Sequence, residues 1–551
     1  MAQQHPAEAP APEHWSSRVW PQLLPELAER IVGCLSCNDV AAAFRQVNKA
    51  TAEAFSGPQH TIVRLSEPVP PHAFAAHWLA PGATRGLTLK RRRQLLSLAA
   101  ASGVVANLEV AIQAAGCLLT HQVFEAAASA GKLEACQWLW EQGCPENEKR
   151  AYELTDVLAA AAGGGHRHVC EWLLGRGVSW QSSGAAEAAR GGHVGLMEWL
   201  LERRRQMGST IPEEEMHKLV CGVVHGCDLA TLQRQWGNWG LLQGQTKAAA
   251  LRAAAGSPTP DWAAKVEWLE AQGCPRDHKP AAAAAICPND AAARLAWLRG
   301  RGYSLDGMMI CSAARMGNLA AVQYLLSELG ALEGSLYSLA TFYAAGNGHL
   351  EVLQALRLSL SGQQLLPSHY TAACAIAAAS SGHLHVLAWL PLLEGWEWLG
   401  TNAQLLLAGG AESGSVELLA WLVDHGCGEW SCMASTSAAE SGGEEALEWV
   451  VAHGCPVKDD GSPYLNACRN GDLAMVRLLR RLEVPWGPAG RVVLEAARIA
   501  LLPLLRWLLE EGCPVGDYEA AKVKAGERAS GRAEALQLLE AQQLLEAHWP
   551  V

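Results

Sequence analysis

Apolar and polar positions fall into one recurring frame along most of the chain. In Gly131-Lys-Leu-Glu-Ala-Cys-Gln-Trp138-Leu-Trp-Glu-Gln-Gly143-Cys144-Pro145 a glycine opens the segment, a Trp stands seven residues on, and Gly-Cys-Pro closes it. The frame returns at Gly165 (Trp172, Gly177), Gly192 (Trp199), Asp261 (Trp268, Gly273, Cys274, Pro275), Asp290 (Trp297, Gly302) and Gly317 (Tyr324). It continues at Gly348, Gly382 (Trp389), Gly414 (Trp421, Gly426, Cys427), Gly442 (Trp449, Gly454, Cys455, Pro456), Gly471, Ala500 (Trp507, Gly512, Cys513, Pro514) and Gly531. Worn copies lie near Ala106–Cys117 and Gly226–Trp236. This amounts to about 14 or 15 units spaced roughly 25–34 residues apart, the period of helical solenoids.

Each slot has a physical reason. An Ala-rich stretch precedes the opening glycine, as in Ser312-Ala-Ala-Arg-Met-Gly317 and Glu187-Ala-Ala-Arg-Gly-Gly192. Ala is the strongest helix former and lets helices approach closely, so a first helix is predicted there. The glycine ends it in a left-handed cap. Apolar residues then follow at Leu384, Val386, Leu387, Trp389 and Leu390, a spacing that makes one face of a second helix apolar. The second glycine caps that helix, the small Cys packs at the turn, and Pro forbids continuation. One unit buries little alone, and stacked units share a continuous core. The pattern predicts an elongated, curved, all-α solenoid with a protein-binding concave face.

Gly348-His-Leu-Glu-Val-Leu353 and Gly382-His-Leu-His-Val-Leu387, with the preceding Ala344-Ala345, resemble the Gly-His-Leu-Glu-Val-Val core of the ankyrin repeat. The resemblance spans roughly four-fifths of the chain. Gly-Cys-Pro stands where that family has Gly-Ala-Asp, and its Thr-Pro-Leu-His opening is absent. The resemblance implies an ankyrin-like helical-repeat solenoid that binds protein partners.

At the other end, Leu24, Leu27, Ile31 and Leu35 fall at three- and four-residue steps on one helix face, with Pro25-Glu26 suited to the helix start. Asn38 and Asp39 read as the break and cap before a second helix, followed by Val40, Phe44, Val47 and Lys49. This segment resembles an F-box, though the aromatic expected after the final basic residue is replaced by Ala50. That resemblance implies docking of a Skp-type linker subunit of a cullin-based ubiquitin ligase through Leu24, Pro25, Leu27, Ile31, Leu35 and Val40. The alternative is a small helical module that only caps the open end of the solenoid. The domain reading is a disordered terminus over 1–15 and an F-box-like module over 16–55. An irregular, Pro-rich connector over 56–94 packs on the array through Val69, Phe74, Trp78 and Leu79, and repeats run over 95–547.

Composition narrows the chemistry. The net charge is −12, which gives no general attraction to phosphate backbones, so neither nucleic acid nor membrane is expected as a partner. Lys90-Arg91-Arg92-Arg93 and Arg203-Arg204-Arg205 read as solvated helix faces rather than import signals. There is no basic-then-apolar leader and no long uncharged apolar run, since Ile499–Leu509 is cut by Pro503 and Arg506. A soluble protein of the cytoplasm or nucleus is expected, its 17 Cys reduced.

No catalytic constellation emerges. Cys34-x-x-Cys37 lacks a second ligand pair for zinc. The recurring Cys144, Cys274, Cys427, Cys455 and Cys513 read as buried packing residues. His166, His193, His349 and His383 read as ligands of backbone groups between units. The Trp stripe reads as packing between units rather than a base-stacking platform. Gly163-Gly-Gly165 lacks the strand and Lys-Ser/Thr of a phosphate loop. A non-enzyme without metal or cofactor is therefore expected, its substrate-binding residues unassigned.

Overall fold

The computed structural model describes residues 25–144, 150–178, 183–208, 210–240, 242–330, 332, 334–359, 368–390, 400–528 and 531–548. Among these the chain is an all-α helical-repeat solenoid. Fifteen helix pairs follow one another, from Leu89–Ser102 with Val105–Ala115 to Tyr518–Gly526 with Arg532–His548.

The caps form as the frame requires. Gly382 ends the helix Ser368–Ser380 at φ 78°, a left-handed conformation that suits glycine. The Gly382 amide bonds the Ala379 carbonyl at 3.0 Å and the His383 amide bonds Ala378 at 2.9 Å, the two bonds of a Schellman cap. The second helices end the same way. The amides of Cys144, Cys274, Cys427, Cys455 and Cys513 reach back to Leu139, Leu269, Leu422, Val450 and Leu508. Each of these five Cys is buried, filling the apolar slot of the cap.

Curvature follows from residue size. The Ala pairs that close the first helices (Ala188-Ala189, Ala313-Ala314, Ala344-Ala345) are wholly buried. They let first helices stack on first helices more intimately than the Leu- and Trp-bearing second helices meet their neighbours. A Cβ on Gly226 would lie 2.1 Å from the Arg190 carbonyl oxygen, so the backbones there nearly touch. A stack wedged in this way bends with its first helices inside.

The bend carries the array round to meet itself, which corrects the expectation of an elongated solenoid. Arg92, in the first helix, is fully buried and forms a two-pronged ion pair with Asp472 (2.9 and 2.6 Å), 380 residues on. It also donates to the carbonyls of Ala115 (2.8 Å) and Gly442 (3.0 Å). Cys117 forms an antiparallel bridge with Asp472, and the Leu118 and Ala474 amides bond Gly471 and Gly116 across the same seam. Arg85 pairs with Glu448, and Arg93 donates to the Asn470 carbonyl. The basic run at 90–93 is therefore not a solvated face: two of its arginines hold the seam.

Candidate interaction surfaces

The N-terminal module has its own small core of Val32, Val40 and Phe55, with Phe44 against it. The Phe44 and Phe55 rings meet edge to face at 5.8 Å. Its helices are Pro25–Val32, Cys37–Ala42 and Lys49–Ala54. Ser36, not Asn38 or Asp39, caps the second helix, in a capping box with Asp39. Asn38 is instead fully buried and clamps the connector. Its Nδ2 donates to the carbonyls of Arg64, Glu67 and Pro68, and its Oδ1 accepts from the Arg64 amide. The connector then runs into the array's core at Val69 and Phe74, the latter on the helix Pro71–Trp78, whereas Leu79 is exposed.

The residues assigned to a linker interface divide. Leu27, Ile31 and Leu35 are exposed at 43%, 47% and 39%, an apolar stripe carried by the helix Pro25–Val32 and the bend that follows it. Val40 is 2% exposed and belongs to that core, so it is not on the surface. It is buried beside Ala41 on its own short helix, and its apolar character serves folding. Leu24 and the Pro25 side chain lie outside the described residues.

The second surface is the inner wall, formed by solvent-facing stripes of the first helices. A groove of about 540 Å³ opens there across Glu213–Gly226, Gly244–Ala255 and Lys279–Ala285.

The remaining chemistry is structural. His166, His193, His349 and His383 lie over the capping glycines of the preceding units, Gly131, Gly165, Gly317 and Gly348. His349 Nε2 bonds the Arg315 carbonyl at 3.2 Å. Burial pushes the thiols of Cys274 and Cys427 up to about 11 and that of Cys513 to about 12, which leaves them protonated and unreactive. The Trp stripe is half-buried between units and meets other Trp rings edge to face, as in Trp140–Trp172 at 5.8 Å and Trp262–Trp297 at 5.0 Å. Cys34 and Cys37 are exposed, and among the described residues no three His, Cys, Asp or Glu gather to hold a metal. No described helix is long and apolar enough to cross a membrane.

Buried cations went unread in the sequence. Lys265 is fully buried, donating to the Val224 carbonyl (3.0 Å) and to Ser257 and Thr259 hydroxyls. Arg294 donates to the Ala255 and Ser257 carbonyls, both at 2.8 Å. Arg528 does so to Ala497 and Ala500. Each satisfies the orphan carbonyls ending a neighbouring first helix, where positive charge also suits the helix dipole. The signal was there: Asp261 and Asp290 take the glycine slot, and a cation follows four residues later in both units.

No protein-family model matches the chain, and no curated protein matches it in sequence. Among solved structures it is similar to a pentatricopeptide repeat protein, PPR10 from maize, at 11% identity and a TM-score of 0.24, covering 93% of this chain and 83% of that one. Two structures of PPR10 in complex with an 18-nt psaJ RNA element give the same identity and score, with 95% and 90% covered. Nucleic-acid complexes thus stand among the likenesses, and the expectation that excluded a nucleic-acid partner is withdrawn.

Proposed function

We propose that the protein is a non-enzymatic interaction adaptor whose array holds a protein partner. In the finer reading the units are ankyrin-type repeats and residues 16–55 an F-box-like module. Together they make a substrate-recognition subunit of a cullin-type ubiquitin ligase, working in the cytoplasm or nucleus. The connector, bounded at 56–94 in the sequence and shortened to 56–88 by the first array helix Leu89–Ser102, sets the module against the repeats.

The observation that carries this reading is the stripe of Leu27, Ile31 and Leu35. A module that only covered the solenoid end would turn its apolar side chains toward the array. This one builds a separate core from Val32, Val40 and Phe55 and leaves the stripe in solvent. Exposed apolar side chains grouped on one face mark interaction sites. The Asn38 clamp favours the alternative, a repeat scaffold with no ubiquitin role, because it binds the module to the connector.

A pull-down of the full chain with a purified Skp-type linker discriminates the two. Wild type should bind, and Leu27→Asp with Ile31→Asp should abolish binding, with circular dichroism unchanged because both positions are exposed. Equal binding by the variant, or none by folded wild type, leaves the scaffold without the linker. Crosslinked substrate trapping on the array reads the scaffold separately.

A further inference from the structure

The groove on the inner wall has an unusual lining. Arg190, Lys218 and Arg252 stand around it, His217 and His225 are half-buried between them, and it contains no Asp or Glu. This sign opposes that of the whole chain, −12. Arg190 and Lys218 lean on Glu187 (3.3 Å) and Glu214 (3.2 Å) of their own helices, exposed pairs that cost little to open. Arg252 makes no ion pair among the described residues. Both guanidinium groups act on a side chain that lines the same groove: burial holds the Cys221 thiol above its ordinary range, while the charges of Arg190 and Arg252 pull it down. A concave, low-dielectric wall focuses such a field on whatever enters.

The apolar part of the lining selects the class of occupant. Ile286 is 40% exposed, beside Ala253 and Ala283. No Phe, Tyr or Trp lines the groove. Single-stranded nucleic acids are held chiefly by stacking bases on large aromatic rings, and the groove offers only the two half-buried imidazoles of His217 and His225. We propose that the groove binds an acidic segment of a partner protein, its carboxylates on Arg190, Lys218 and Arg252 and an aliphatic side chain on Ile286. This rests on the reading that the array holds a protein and adds where and by what chemistry.

The test uses the full chain and fluorescein-labelled peptides. One repeats Glu-Glu-Leu, a second of equal length repeats Gln-Gln-Leu, and a single-stranded RNA of matched charge is the third probe. The Glu peptide should bind at least tenfold more tightly than the Gln peptide and weaken with added salt. Arg190→Ala with Arg252→Ala should cost a further tenfold or more at unchanged melting temperature, since both side chains are exposed. Equal binding of the two peptides, preference for the RNA, no peptide binding, or full affinity in the variant each overturns the proposal. Substrate trapping that still succeeds would show that the groove assignment alone has failed.

Discussion

His166 and His383 each sit against a neighbouring unit's glycine cap, and both imidazoles are held below the ordinary histidine value, chiefly by burial. The direction gives a sign. With the folded pKa below the unfolded value of about 6.5, the unfolded chain takes up protons first. Stability these groups contribute above that pH is lost as pH falls through the folded values. Melting temperature should therefore drop as pH falls from about 6.5 through the lower folded values, and His166→Gln with His383→Gln should flatten the slope. An unchanged slope would remove the histidines from the account. Their role was readable because they share one slot after the cap. That Val40 turns inward was not: an apolar residue after Asp39 suits a partner's surface and a private core equally, and only packing against Val32 and Phe55 decides.

At the scale of the element, the cap-and-helix frame is what one unit's sequence can specify, because every determinant lies within a few residues. Gly348 illustrates it. At φ 75° an L side chain is strained, and an added Cβ would lie 2.7 Å from the His383 ring. Gly348→Ala should lower stability by about 1–2 kcal/mol from the left-handed backbone alone, more if His383 is displaced, as read by denaturant titration. No loss would mean that the cap relaxes freely. The frame was harder to read where units use other means, as with Lys265 and Arg294. Their hydrogen-bond acceptors, Val224 and Ala255, belong to the unit before, and a cation four residues after an Asp reads first as a local surface pair. Ser36 escaped notice for a simpler reason: Asn38 and Asp39 are equally good capping types, and burial of Asn38 against the connector chose between them.

Over the whole molecule, small rotations between units add up, and their sum brings Arg92 to Asp472. No local pattern announces a contact across 380 residues, and a basic run at a helix start reads as solvated surface. Burial makes this contact consequential. Taking an arginine from water works against its charge, but the hydrogen bonds and charge of Asp472 outweigh that and hold the guanidinium above its ordinary value. Removing one partner strands the other in a dry interior, a loss of about 3–5 kcal/mol. The seam fixes the shape of the inner wall, and with it the surface offered to a partner. Small-angle X-ray scattering of the full chain tests this most directly. Wild type should give the compact profile of an array turned back on itself, and Arg92→Ala should expand it while the helix content holds. An extended profile for wild type, or no change in the variant, would contradict the closed turn.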